Sequence, residues 1–230
     1  MSELNTEEKL AQSSMLLSSE MKSWWVLTIL KPFERLFLKL SLKPDHITLL
    51  ATVMTLPIAI CLSQGFFLLS GWLTLLVGSL DILDGKLARH LGLDSIRGEF
   101  LDSVMDRIQD FFILVGLLIY FRQDMMPWVI LVVLGSSQLI PYIKAKAELL
   151  GGDLKRVGLM QRPERFFTLA VGLLFDGAFE SARVFLASFE GVPEHIILKG
   201  VLWLLAAASV FTVYRRLAVG LDQLGLEAKK

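Results

Sequence analysis

Six stretches of predominantly apolar residues, near 46–63, 66–90, 98–122, 126–149, 163–187 and 194–216, dominate the pattern of the chain. At about 1.5 Å of rise per helical residue, each is long enough to cross about 30 Å of hydrocarbon. Met126–Ile143 and Ile196–Val213 are the cleanest. The second and third are interrupted by acidic residues at their facing ends. Those acids recur three and four positions apart, so the helices are expected to run through them. Ahead of the first span, Leu10, Met15, Leu16, Leu17, Met21, Trp24, Trp25, Leu27, Leu30, Phe33, Leu36, Phe37 and Leu40 interleave with Lys22, Lys31, Glu34, Arg35 and Lys39. That pattern predicts an amphipathic segment lying in the membrane interface, with the Trp pair at headgroup level. The plain alternative is a soluble cap packed on the bundle. The expected architecture is an all-α integral membrane protein with six transmembrane helices and an N-terminal interfacial amphipathic helix. Its divisions are 1–42, a catalytic membrane domain over 43–220, and a cytoplasmic tail over 221–230.

Composition supports this picture. The 230 residues are 54% hydrophobic and only 20% charged, with a mean hydropathy of +0.59. The net charge is zero, which argues against a nucleic-acid partner, since that would call for a basic excess. Cys61 is the one cysteine, so no disulfide framework is possible, and its apolar setting suggests a buried structural thiol. The polar, acidic N-terminus lacks the pattern of a secretory signal peptide. Lysine and arginine are placed unevenly. With both termini inside, the segments 1–45, 86–97, 144–165 and 215–230 hold 19 of the 23 basic residues, leaving Arg107, Arg122, Arg183 and Lys199. This asymmetry places the acidic segment on the cytoplasmic side.

That segment carries the chemistry. Asp81, Asp84, Gly85 and Ala88 fall on one face of the second span; Gly98, Asp102 and Asp106 fall on one face of the third. The short connection between the spans predicts antiparallel neighbours with both faces on one cleft. From Asp81 to the end of its helix at His90 is roughly 13 Å, so the cleft is recessed to headgroup depth or slightly below. Carboxylates are costly inside a membrane unless they face a cavity, a metal or a partner. An all-oxygen ligand set selects a hard ion, Mg2+ or Mn2+. Gly85 and Ala88 leave room against the helix for a flat or bulky ligand, and Arg89 offers a planar fork for a phosphate. Together they suit a diphosphate carrying a nucleoside. The structural alternative is a buried charge network with Arg89, Arg97 and Arg107.

The run Asp81-x2-Asp84-Gly85-x2-Ala88-Arg89-x8-Gly98-x3-Asp102-x3-Asp106 resembles the signature of the CDP-alcohol phosphotransferases at every position. Six spans and an N-terminal amphipathic segment are similar to that family's architecture. The resemblance implies that Asp81, Asp84 and Asp102 hold the divalent metal, Mg2+ or Mn2+, with Asp106 beside it and sharing a second ion where two are used. It implies that Arg89 and the metal bind the diphosphate of a CDP-lipid such as CDP-diacylglycerol, while Gly85 and Ala88 admit the nucleotide and Gly98 completes the motif. Asp106 is implied as the general base: an acceptor alcohol attacks the lipid-side phosphorus and CMP leaves. The entry to the first span, Lys43-Pro44-Asp45-His46-Ile47-Thr48, resembles the family's Pro-Asn-x-x-Thr entry, with Asp45 in place of Asn. Thr48 is expected to cap the helix or touch the nucleotide. The resemblance further implies a homodimer in the bacterial inner membrane, among membrane lipid, with its active site facing the cytoplasm.

Two features bear on the acceptor. Arg162 and Arg165 flank Pro163 and Glu164 at the start of the fifth span, where a helix N-terminus favours anions. Asp110 extends the third-span acidic face by one turn. Both resemble the branch that makes phosphatidylinositol phosphate from inositol phosphate, so the expected acceptor is a phosphorylated polyol, with inositol phosphate ahead of glycerol 3-phosphate. The alternatives are topological anchoring or a pair with Glu164 for the arginines, and an ion pair to Arg107 or a neighbouring helix for Asp110. His46, His90 and His195 lie near predicted helix ends and lack a second ligand at metal spacing, so they read as interfacial. Pro57 and Pro141 are expected to bend their helices. Three rival readings predict different patterns. A transporter would string charges along a path, a membrane prenyltransferase would carry two distant acidic clusters, and an inactive scaffold would lack part of the motif.

Overall fold

The computed structural model describes residues 43–92, 95–154, 157–186 and 191–227. The expected amphipathic segment, 1–42, lies outside the described residues. Six helices follow in order: α1 (Pro44–Ser63), α2 (Phe67–Leu91), α3 (Ile96–Tyr120), α4 (Met126–Leu149), α5 (Arg162–Leu186) and α6 (Ile196–Glu227). No strand occurs among the described residues.

Local chemistry sets the boundaries. Pro44 opens α1, where its missing N–H costs nothing. Ser95 caps α3, its hydroxyl accepting from Gly98 N at 3.0 Å. At the start of α5 the Glu164 carboxylate reaches back and accepts from Gln161 N at 3.0 Å, one half of a capping box. Gly92 follows the motif-bearing end of α2 with φ of 63°, the left-handed conformation that glycine adopts without strain.

Helices α1, α2, α4 and α6 are long and apolar enough to cross a membrane. Helices α3 and α5 have 25 residues each, so length suffices, but they carry the charged side chains of the cleft. Large apolar side chains cover the outer surface, including Trp72, Trp128, Trp203 and Phe185. That is the surface expected of a chain whose solvent is hydrocarbon, and the chain is an integral membrane protein.

The helices close into a ring whose principal contacts run α1–α3, α3–α4, α4–α6, α6–α5, α5–α2 and α2–α1. Ile47, Leu83, Leu87, Ile113, Leu117, Ile130, Leu173 and Leu205 fill its centre. One sequence expectation changes here. Helices α2 and α3 are not a principal packing pair; each packs instead on α1. Gly116 lets α3 approach α1 so closely that a Cβ there would lie 2.6 Å from the Ala59 carbonyl oxygen. Residues 221–227 form the last turns of α6. The Gln223 side chain pins them to the α4–α5 loop, accepting from Asp153 N at 2.9 Å and donating to Asp153 O at 3.1 Å. The small residues Gly71, Gly78 and Gly172 face Leu174, Phe166 and Val201 of the same chain. Pro57 and Pro141 lie inside α1 and α4 as expected.

Candidate active site at one end of the helix ring

Four helices bring polar side chains to one end of the ring. Helix α2 supplies Asp81 and Asp84, with Gly85 and Ala88 on the same face; α3 supplies Asp102, Asp106, Gln109 and Asp110, with Gly98 at its start; α1 supplies Thr48 and Thr52; the start of α5 supplies Arg162 and Arg165. Arg89 lies within α2, and its side chain is outside the described residues. Gly85 and Ala88 are half-buried on the acidic face of α2. Gly98 is half-buried, and a Cβ there would meet Ser95 Oγ at 3.2 Å.

Asp84 is buried, only 5% exposed. The Thr48 hydroxyl lies 2.6 Å from Asp84 Oδ2 and 3.3 Å from the Pro44 carbonyl. Having one proton to give, it gives it to the shorter, charge-assisted contact. Thr48 therefore orients a carboxylate of the motif instead of capping α1, where Lys43 holds the N-cap position without a side-chain bond.

Arg162 stands between the acids of α2 and those of α3. Its Nη2 is 2.9 Å from Asp81 Oδ2, its Nη1 is 2.7 Å from Asp106 Oδ1, and its Nε is 3.7 Å from Asp110 Oδ1. These are ion-pair distances. Among the described residues, five buried side-chain polar atoms lack a hydrogen bond, and Asp81 Oδ2, Asp106 Oδ1 and Arg162 Nε are three of them. Unmet hydrogen-bonding capacity is thus concentrated where ligands would enter. Asp102 is half-buried and close enough to Asp81, Asp84 and Arg162 for their charges to interact.

Gln109 joins the helices from inside. It is fully buried. Its Nε2 donates to Asp81 Oδ1 at 3.2 Å and to Thr52 Oγ1 at 3.3 Å, and its Oε1 accepts from Arg162 Nη2 at 2.6 Å. Arg165 is 7% exposed, with Nη2 3.1 Å from Asp110 Oδ2 and Nη1 donating to Met160 O at 3.2 Å. Arg216 of α6, 4% exposed, donates from Nε to Val157 O at 2.8 Å and from Nη1 to Ile140 O at 2.7 Å. It thereby holds the α4–α5 loop beside Arg165.

The expected carboxylates therefore share one cleft, with Arg162 lying among them. Among the described residues, the three-residue carboxylate or histidine cluster within 4.8 Å lies elsewhere, at Asp176, Glu180 and His195. The donor chemistry nevertheless fits a hard divalent ion: carboxylate oxygens only, two of them buried and without a hydrogen bond. Asp110 takes the alternative foreseen for it, pairing with a neighbouring helix through Arg162 and Arg165. Glu164 is engaged in the α5 cap, and Arg107 donates to the Ser103 carbonyl. Gln109, Thr52 and Arg216 were missed by the sequence reading. The available signal was a buried-type polar residue inside an apolar helix.

The opposite end holds a different network. His195, with φ of 55°, directs Nδ1 to Asp176 Oδ2 and Nε2 to the Tyr120 hydroxyl, both at 2.7 Å. Its backbone N–H donates to Glu180 Oε1 at 2.9 Å, and Asp176 Oδ1 accepts from Leu198 N at 3.1 Å. Both ring nitrogens are used in joining α3, α5 and α6, so His195 acts as a structural clasp near the helix ends. Arg183 lies 3.5 Å from Glu180 and 3.7 Å from Glu194, and Lys199 lies 2.7 Å from Asp124. Two of the four outlying basic residues are thus matched by acids. The bond from Lys199 holds the exposed Asp124 carboxyl below its ordinary range.

The family model described as CDP-alcohol phosphatidyltransferase matches residues 41–189. A phosphatidylinositol phosphate synthase of Corynebacterium glutamicum is 34% identical over 197 residues, 83% of each chain. One of Mycobacterium tuberculosis is 37% identical over 199 residues, covering 82% of this chain and 84% of the relative. The crystal structure of the M. tuberculosis phosphatidylinositol phosphate synthase with CDP-DAG bound superposes with a TM-score of 0.67 at 32% identity, covering 84% of this chain and 94% of that one. A second structure of that protein, in complex with manganese and citrate, gives a TM-score of 0.69 at the same identity, covering 84% and 88%.

Proposed function

This chain belongs to the CDP-alcohol phosphatidyltransferase family, and from that premise we propose that it moves the phosphatidyl group of CDP-diacylglycerol to a hydroxyl of an inositol phosphate, releasing CMP. The observation that carries the reading is the single cleft in which the acids of α2 and α3 meet Arg162 and Arg165 of α5. It pairs a cation-seeking half with an anion-seeking half, as a reaction between a diphosphate and a phosphorylated alcohol requires.

Asp81, Asp84, Asp102 and Asp106 would hold Mg2+ or Mn2+; the manganese in the solved relative supports that choice. When bound, such an ion neutralises charge developing on the diphosphate. The chain's own residues do the rest by position. Thr48 fixes the Asp84 carboxylate. Gly85, Ala88 and Gly98 leave the helix faces low enough for the nucleotide, and Arg89 contacts the diphosphate. Arg162 and Arg165 bind the acceptor's phosphate; bidentate guanidinium contacts suit that anion. Asp106, beside Arg162, accepts the proton of the attacking hydroxyl. The new bond joins the acceptor oxygen to the lipid-side phosphorus, the bond from that phosphorus to the oxygen of CMP breaks, and CMP leaves with the electron pair.

The cleft faces the cytoplasm of a bacterial inner membrane in this reading, supported by the 19 of 23 basic residues on that side. The family resemblance carries the homodimer. The comparisons do not support the transporter alternative. The test is CMP release by purified protein with CDP-diacylglycerol, Mg2+ and a panel of acceptors, beside Asp102→Asn. Release that requires inositol phosphate and vanishes in the variant is expected. Release with glycerol 3-phosphate alone would overturn the acceptor, and no release with any acceptor would overturn the reaction.

A further inference from the structure

Gln109 is the one fully buried side chain among the described residues of the cleft that touches both halves of the site. Its amide is asymmetric in the sense the surroundings need. The NH2 group, a donor, meets the Asp81 carboxylate and the Thr52 hydroxyl. The carbonyl oxygen, an acceptor, meets the Arg162 guanidinium. Turning the amide over would set NH2 against guanidinium and C=O against carboxylate, so the orientation is fixed by charge on both sides. Thr52 is itself anchored, donating to Thr48 O at 2.9 Å, while Thr48 holds Asp84. The chain Asp84–Thr48–Thr52–Gln109–Asp81 therefore links two acids of α2 through α1 and α3, with Arg162 attached to its end.

We propose that Gln109 is a positioning residue that holds the Asp81 carboxylate and the Arg162 guanidinium in one geometry, coupling the cation-binding half of the cleft to the acceptor-binding half. The proposal rests on the function proposed above, since it assigns Asp81 to the metal and Arg162 to the acceptor phosphate. Gln109 touches neither ligand. It acts by removing freedom from groups that do. Partners that orient metal-binding carboxylates typically alter metal affinity or activity by about 10–100-fold when removed. Arg162, once freed from Oε1, keeps its charge and loses one of the contacts that aim it.

The experiment compares wild type with Gln109→Met, which keeps approximate length and volume and removes every hydrogen bond. The protein is full-length and in detergent micelles. Mn2+ binding is read from the free-Mn2+ magnetic resonance signal, with no substrate present. At saturating Mn2+, Michaelis constants are then measured separately for inositol phosphate and CDP-diacylglycerol. The expected result is Mn2+ binding weakened about 10–100-fold, a raised constant for inositol phosphate, a nearly unchanged constant for CDP-diacylglycerol, and a thermal midpoint lowered by several degrees, since buried partners of the amide lose their bonds. A purely structural role would lower the midpoint and the yield of active protein while leaving both constants where they were. Unchanged Mn2+ binding in a folded Gln109→Met protein overturns the proposal. If that variant does not fold, Thr52→Val removes the Thr52 anchor of the amide in an isosteric way. It should weaken Mn2+ binding in the same direction by a smaller factor, and unchanged binding there also overturns the proposal. A wild type that binds Mn2+ but releases no CMP defeats the transferase reading and leaves the Mn2+ comparison decisive for Gln109. A wild type that binds no Mn2+ overturns both.

Discussion

Arg162 occupies the cleft as a cation, and a divalent metal would compete with it. The perturbation to make is Arg162→Ala. The side chain is 21% exposed and pairs with three carboxylates, at 2.9 Å to Asp81, 2.7 Å to Asp106 and 3.7 Å to Asp110. Removing one partner of a buried ion pair costs about 3–5 kcal/mol, because the other is left uncompensated. Partial exposure argues for the lower end, about 3 kcal/mol, or roughly 6–12 °C for a chain of this size. That loss is expected without metal. With metal the sign of the argument changes. A positive charge about 4 Å away at an effective dielectric of about 20 opposes an incoming cation by about 4 kcal/mol per unit charge. Side-chain movement in the wild type would relieve most of this. Retaining about 1.4 kcal/mol corresponds to tenfold, so Arg162→Ala should bind Mn2+ or Mg2+ at least tenfold more tightly. Titration calorimetry on protein first stripped with chelator measures the affinity, and tryptophan fluorescence on heating gives the midpoint with and without metal. By linkage, the tighter ligand must raise the midpoint further. The variant should therefore be less stable than wild type when stripped, with much of the gap closed when loaded. Metal binding weakened by Arg162→Ala, or an equal metal-induced shift in both proteins, would refute this account of competition.

Three other outcomes follow from the same geometry. Asp106→Asn should abolish CMP release while metal-dependent CDP-diacylglycerol binding persists, because three other carboxylates remain for the ion; binding lost to the extent seen with Asp81→Asn would remove the base assignment. Thr48→Val frees the buried Asp84 oxygen that now receives a 2.6 Å bond, and should cost about 1–3 kcal/mol of stability in thermal unfolding, with weaker metal binding. His195→Ala leaves Asp176 buried and without its imidazole partner, so a loss of about 3 kcal/mol is expected in thermal unfolding, with the acceptor's Michaelis constant unchanged because the clasp is at the far end of the ring.

The helices were legible in the sequence because a membrane span is written in consecutive residues. The expected spans and the observed ones agree within a few positions, apart from the C-terminal end of α6. That helix runs on to Glu227 because Gln223 finds a partner at Asp153, 70 positions away, which no local pattern records. Helices α3 and α5 were legible despite their charges because the acids on α3 keep helical spacing and Pro163 marks the start of α5. The adjacency of α2 and α3 was misread: a short loop limits how far two ends can separate, but does not make the helices pack, and α1 offered each a better fit. The motif acids were legible as a set. Their partners were not. Gln109 meets Thr52 across 57 positions and Arg162 across 53. Arg162 and Arg165 were found from the helix start they occupy, which predicts an anion. The carboxylates they actually face come from α2 and α3, and only the folded ring brings those within reach.

The two ends of the ring follow opposite rules. At the His195 end both ring nitrogens and the backbone N–H are paired, and Asp176 accepts through both of its oxygens. None of the buried atoms left without a hydrogen bond among the described residues lies in that network. Three of the five lie at the motif end, in the two acids and the arginine that face one another. A ring closed through α1, α3, α4, α6, α5 and α2 can tolerate this because the clasp and the apolar centre hold the helices while the cleft is left underpaired. Filling the cleft with hydrogen bonds would stabilise the chain and remove its reason to bind ions. The contrast between Arg162 and Gln109 tests that logic most directly. Both touch Asp81, yet removal of the arginine should tighten metal binding and removal of the glutamine should weaken it. A charge that competes and a dipole that orients are distinguished by the sign of the change, and two variants with the same sign would mean that the cleft responds to lost packing alone.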